Sequence, residues 1–163
     1  MAEFTGRRLP VYLLLDCSGS MSGEPIEAVR MGVKSLLAEL RGDPQALETA
    51  FLSVITFDSS ARQVCPLTEL MLFQEPTLDA SGSTCLGEAL TLLEQAVDKE
   101  VKKSTANQKG DWKPLIFLMT DGQPTDNWQR PADSIKKRRL GHLIACGAGS
   151  GADLKPLKAL TET

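Results

Sequence analysis

Two stretches of this chain are apolar at nearly every position and end on a carboxylate. Val11-Tyr12-Leu13-Leu14-Leu15 runs into Asp16, and Leu115-Ile116-Phe117-Leu118-Met119-Thr120 runs into Asp121. A segment that is apolar on both of its alternating faces predicts a strand covered on both sides, as in a parallel sheet layered with helices. The first such strand spans about residues 10–16, Phe51 to Phe57 forms a second, Leu115–Thr120 a fourth and His142–Cys146 a fifth. Ala61 to Leu67 is the third, joined to its predecessor through the tight Asp58-Ser59-Ser60 connection, which predicts a hairpin and an antiparallel edge strand. Arg62, Gln63 and Pro66 protect that edge from further pairing.

Helical periodicity fills the intervals. Pro25 suits the first position of a helix carrying Ile26, Val29, Val33, Leu36, Leu37 and Leu40, which Gly42-Asp43-Pro44 stops. Leu86 to about Lys102 predicts a second, with Ala89, Leu90, Leu93, Ala96, Val97 and Val101 on one face. A third lies around Arg130–Arg139, and Leu154, Leu157 and Leu160 mark a last one. Residues 43–50 read as a linker or short helical turn, with another turn at Glu69–Phe73. Residues 1–8 are expected to fray, and the polar residues 103–112 to be mobile. The alternation predicts a doubly wound, Rossmann-like α/β domain over residues 1–163: a mostly parallel sheet, one antiparallel edge strand and helices on both faces.

Composition narrows the class. A chain of 163 residues that is 42% hydrophobic and 24% charged can bury a substantial core as one domain. A net charge of −3 argues against a broad nucleic-acid surface. No apolar run is long enough to span a membrane and no signal-peptide core precedes the first strand, so a cytoplasmic location is expected. Cys17, Cys65, Cys85 and Cys146 lack CxxC spacing and read as reduced, small apolar side chains.

The chemistry sits at the end of the first strand, where open α/β sheets place their ligands. Asp16, Ser18 and Ser20 all offer oxygen, a donor set suited to a hard cation such as Mg²⁺ or Mn²⁺. Each residue also has a plain structural role open to it. Ser18 and Ser20 could serve a turn or helix cap, Thr84 could cap the helix starting at Leu86, and Asp121-Gly122 could be a turn. Asp126 could support the site or cap the next helix. The run Lys136-Lys137-Arg138-Arg139 reads as a solvated last turn favoured by the helix dipole, with phosphate binding a minor alternative.

Asp16-x-Ser18-x-Ser20, then Thr84, then Asp121-Gly122, in that order over nearly the whole chain, resemble the metal-ion-dependent adhesion site of von Willebrand factor A (vWA) domains. The resemblance implies a metal held by Asp16, Ser18, Ser20, Thr84 and Asp121. Ser18, Ser20 and Thr84 would bind directly in at least one state. Asp16 and Asp121 would act partly through water, or Asp121 directly when Thr84 does not. Mg²⁺, Mn²⁺ or another divalent cation would fit. Neutral hydroxyls leave much of its charge uncompensated, and Mg²⁺ seeks six oxygens, so an Asp or Glu of a partner protein is the natural incoming ligand. The site is then a docking point rather than an enzyme's reaction centre. The resemblance also implies a sixth strand and closing helix after Thr163, without which one sheet edge would be incompletely covered. The wording from Leu14-Leu15-Asp16-Cys17-Ser18 to Gly23-Glu24-Pro25-Ile26 is similar to the bacterial TerY-like, tellurium-resistance-associated members. That similarity implies a cytoplasmic stress-signalling system with an associated kinase and phosphatase.

Two enzyme-like readings compete. Gly147-Ala148-Gly149-Ser150-Gly151-Ala152 fits a dinucleotide fingerprint, but it follows the fifth strand rather than the first, with no room for a ribose-binding acid beyond. A Mg²⁺-dependent phosphoryl-transfer aspartate would usually have a second carboxylate two residues on, where this chain has Ser18. The single histidine, His142, lies in a predicted strand, which disfavours a Ser-His-Asp triad.

Overall fold

The structure, a computed structural model, describes residues 7–105, 109–120, 126–138 and 141–147. Their elements are β1 (Leu9–Asp16), α1 (Glu24–Arg41), α2 (Pro44–Thr49), β2 (Ala50–Phe57), β3 (Ala61–Glu69), α3 (Leu86–Glu100), β4 (Leu115–Thr120), α4 (Gln129–Arg138) and β5 (His142–Gly147). The strands form one sheet in the order β3-β2-β1-β4-β5. β1 lies parallel to both β2 and β4, and β4 parallel to β5, while β3 pairs antiparallel with β2 at the edge. This is the mostly parallel, helix-flanked architecture that the periodicity predicts. The helix expected from Leu154, and the Gly147–Ala152 run apart from Gly147, lie outside the described residues.

β1 shows why an all-apolar strand was needed. Its side chains alternate between two cores, as a period of two dictates. Val11, Leu13 and Leu15 pack with Ile26, Val29, Val33 and Leu37 of α1. Tyr12 and Leu14 pack with Leu86, Ala89, Leu90 and Leu93 of α3, joined there by Ala132 and Ile135 of α4. Both layers exclude water: Tyr12, Leu13, Leu14 and Leu15 are each 0% exposed. Burying a side chain of this size is worth about 1.5–3 kcal/mol, so β1 anchors both halves of the molecule and holds Asp16 at its end.

Of the two readings open for residues 43–50, the short helical turn is the one formed: α2, whose Asp43 carboxylate accepts from the Gln45 amide at 3.0 Å and whose Pro44 opens the first turn. β3 runs on to Glu69 rather than ending at Leu67. It passes Pro66 by bulging, with Cys65 opposite Val54 and Thr68 opposite Leu52.

The freed Leu67 amide donates to Glu100 Oε2 at 3.0 Å. Tyr12 Oη and Gln63 Nε2 donate to Glu100 Oε1 at 3.0 and 2.9 Å, so the last residue of α3 is tied to β1 and β3. Burial first, and then Glu100, hold the Tyr12 hydroxyl well above its ordinary range, so it remains a donor.

Polar residues expected to be loose are fastened. Arg8 forms a two-pronged ion pair with Asp111 at 2.9 and 2.6 Å, and the Trp112 amide donates to the Arg8 carbonyl at 2.9 Å. Arg7 lies over the Trp112 ring at 5.1 Å. Local polarity resembled that of a solvated loop, whereas a long-range charge pair consumes it.

Candidate metal site

Asp16 closes β1 next to Thr120, the last residue of the neighbouring β4. The crossovers leave β1 towards β2 on one side and β4 on the other, so this is the switch point of the sheet, where a crevice opens beyond the strand ends. Asp16 is fully buried, and a buried carboxylate needs partners. It has them. The Ser18 amide donates to Oδ1 at 2.9 Å and the Thr120 hydroxyl to Oδ2 at 2.6 Å.

Beyond Asp16 the chain turns through a short 3₁₀ segment, Gly19–Met21. Met21 is completely buried and anchors the turn, while Ser20 is exposed. Ser18 is fully buried and starts this segment without spending its side chain on a cap. Its hydroxyl lies 3.1 Å from that of Ser20.

Three loops are laced together around this turn. The Cys17 amide donates to the Phe57 carbonyl (2.8 Å), the Ser81 amide to the Cys17 carbonyl (2.9 Å) and the Gly19 amide to the Gly82 carbonyl (2.8 Å). The Cys85 amide donates to the Asp58 carbonyl at 2.9 Å, and the Ser83 amide to Ser59 Oγ at 3.1 Å. Gly82 is required twice over. Its φ is +79°, and a Cβ there would strike Ser59 Oγ. This lacing holds Thr84 at the same end of the sheet, where it is 3% exposed.

Thr84 does not cap α3. The cap position is Cys85, which makes no capping bond with its side chain. The work is done by Asp126, whose carboxylate accepts from the Gly87 and Glu88 amides at 2.9 and 3.0 Å. Asp126 therefore caps the helix before it in sequence, not the next one. Gly87 allows the approach, because a Cβ would collide with the Asn127 carbonyl.

Asp16, Ser18, Ser20 and Thr84 thus share one end of the sheet, while Asp121 and its Gly122-Pro124 context lie outside the described residues. Thr120 is the contributor that sequence reasoning missed. Its only signal was a hydroxyl residue ending an apolar strand beside a carboxylate.

The donor set fits a hard divalent ion. Adjacent ligands on an octahedron with bonds of about 2.1 Å stand about 3.0 Å apart, close to the Ser18–Ser20 hydroxyl separation of 3.1 Å. Thiolate chemistry does not compete. Burial, and after it the Asp16 charge, push the Cys17 thiol up to about 11, and its side chain belongs to the apolar core. Among the described residues no three His, Cys, Asp or Glu side chains converge as a metal cluster. His142 opens β5 at the opposite end of the strands, away from Ser18 and Ser20.

A von Willebrand factor type A domain profile matches residues 11–163, and the chain belongs to that family. An uncharacterized protein of Synechocystis sp. is 35% identical over 129 residues, which is 75% of this chain and 27% of that protein. Among solved structures, proximal thread matrix protein 1 from the mussel byssus, with a zinc-occupied MIDAS motif, superposes with a TM-score of 0.72 at 20% identity over 98% of this chain and 43% of that one. Manganese-loaded TRAP protein of Plasmodium vivax gives 0.64 at 19% identity over 94% and 62%. The chain spans about a quarter of the length of the curated relative in Synechocystis.

Proposed function

We propose that this domain is a metal-dependent docking module and not an enzyme, and that it captures an Asp or Glu of a partner protein through a divalent ion held by Asp16, Ser18, Ser20, Thr84 and Asp121. The observation that carries this reading is the state of Asp16. Its carboxylate is fully buried, with both oxygens already engaged by Ser18 and Thr120, at the base of hydroxyls that no helix cap consumes. Such a carboxylate orients neutral donors more than it neutralises charge. A divalent ion in this setting supplies an electrophilic position for an incoming carboxylate. Zinc and manganese in the two structural relatives support a divalent ion, and Mg²⁺ is the ion we expect in the cell.

The setting we propose is a bacterial tellurite- or stress-resistance signalling system, in the cytoplasm, with a kinase and phosphatase among the partners. The Leu14–Ile26 wording supports it. No helix among the described residues is long and apolar enough to cross a membrane. Affinity capture from the native host, with Mg²⁺ and with EDTA, tests the reading. Partner capture should need the ion and should vanish in Asp16→Ala, while far-ultraviolet circular dichroism stays unchanged. Equal capture in EDTA would overturn it.

A further inference from the structure

The pole opposite the candidate metal site carries a cleft of about 340 Å³ that the docking reading does not use. Three separate segments build it: the end of α3 with Lys102 and Lys103, the approach to β4 with Trp112 and Lys113, and the end of α4 with Arg138. Its lining holds four cations and two carboxylates, in a chain whose net charge is −3.

Both carboxylates are already committed. Asp111 is held by Arg8 and by the Lys102 amide, and Asp98 by Arg138, which also reaches Glu94. Lys103 lies near enough to Asp98 to feel its charge, but Arg138 makes the bonds. That leaves Lys102, Lys103 and Lys113, three exposed residues that line one concavity.

Helix dipoles explain part of this. Cations are favoured just past a helix C-terminus, which accounts for Lys102 and Lys103. Lys113 belongs to no helix, yet it lines the same cleft. A lone carboxylate ligand would leave the trio under-compensated. A phosphate monoester, carrying about −1.5 to −2 charges and three acceptor oxygens, matches it. The floor of Val97, Val101, Pro114 and the half-buried Trp112 is apolar, as in a site that takes an anionic head with an attached organic group.

We infer that this cleft is an anion site for a phosphate group, independent of the metal site at the other end of the sheet. The ligand is either free phosphate or a phosphorylated side chain on a peptide, and the two arms of one experiment separate them.

The test follows the Trp112 indole N–H resonance by NMR, in EDTA so that no divalent ion can bridge phosphate to the other pole. Inorganic phosphate and a phosphoserine peptide are titrated separately, against sodium chloride at matched ionic strength. A saturable shift with either probe, weakened about tenfold or more in Lys102→Ala/Lys113→Ala and restored in Lys102→Arg/Lys113→Arg, supports the site. A response to the peptide alone assigns a phosphorylated side chain, and one to inorganic phosphate alone assigns the free anion. A response no larger than that to chloride, or one unchanged in the double alanine variant, overturns the inference. Metal-dependent partner capture is a separate measurement, so either result stands without the other.

Discussion

Among the described residues, two donors of different kinds hold Asp16. The Ser18 amide comes from the backbone and cannot be mutated away, but the Thr120 hydroxyl can. Thr120→Val keeps the shape and removes the donor, leaving a buried carboxylate oxygen short of its 2.6 Å partner. The change should cost about 1–3 kcal/mol in urea unfolding with EDTA present. It should also weaken Mg²⁺ binding by calorimetry, because Asp16 would no longer be locked. Unchanged stability and affinity would mean that the bond is incidental. Asp16 and Ser18 stood out in the sequence as a carboxylate at the end of an apolar strand followed by spaced hydroxyls, a pattern that a turn or cap would also explain one residue at a time. Thr120 did not. A threonine ending a strand is ordinary, and its importance arises only when β1 and β4 become neighbours.

At the scale of elements, the junction between α3 and the segment after β4 matters most. Asp126 and Gly87 are 39 residues apart, and no local pattern pairs them. In sequence Asp126 could be set beside the metal site or the helix that follows it, and nothing pointed to the helix before it. In the structure its carboxylate satisfies two free amides at the start of α3, just past Thr84. Asp126→Ala should therefore destabilise the domain by about 1–2 kcal/mol, read as a lower urea midpoint at unchanged slope. It should also reduce Mg²⁺ affinity by loosening Thr84, whereas Asp126→Asn should recover part of both. If Asp126→Ala lowers stability and leaves affinity intact, the cap serves α3 alone. The strands themselves were legible almost to the residue, since a period of two inside a buried sheet tolerates few polar positions. β3 overran its expected end because a bulge absorbs Pro66, and bulges leave little trace in a hydropathy pattern.

For the molecule as a whole, the Arg8–Asp111 pair fastens the start of β1 to the approach to β4. Burial alone would raise the Asp111 carboxyl. The Arg8 guanidinium and the Lys102 amide outweigh it and hold that carboxyl below its ordinary value of 3.8. A carboxyl depressed in the folded state adds stability that is complete above its unfolded value and fades as pH falls through the lower, folded one. Asp111→Asn should then cost about 2 kcal/mol at pH 7. The gap between wild type and variant should narrow as pH falls below about 4, followed by thermal melts across that range. A gap independent of pH would remove the electrostatic account. This clamp was hidden in sequence because Arg8 and Asp111 each sit in stretches of ordinary polar composition, 103 residues apart.

The long helix on one side of the sheet is bolted at both ends: Asp126 grips its first turn, and Glu100 is moored to Tyr12, Gln63 and the Leu67 amide at its last. A rod secured that way resists sliding lengthwise like a piston, because the bonds at both ends would have to break together. Among the described residues, the other element that starts at the crevice is α1, on the opposite flank, whose opening turn follows directly from the buried Met21.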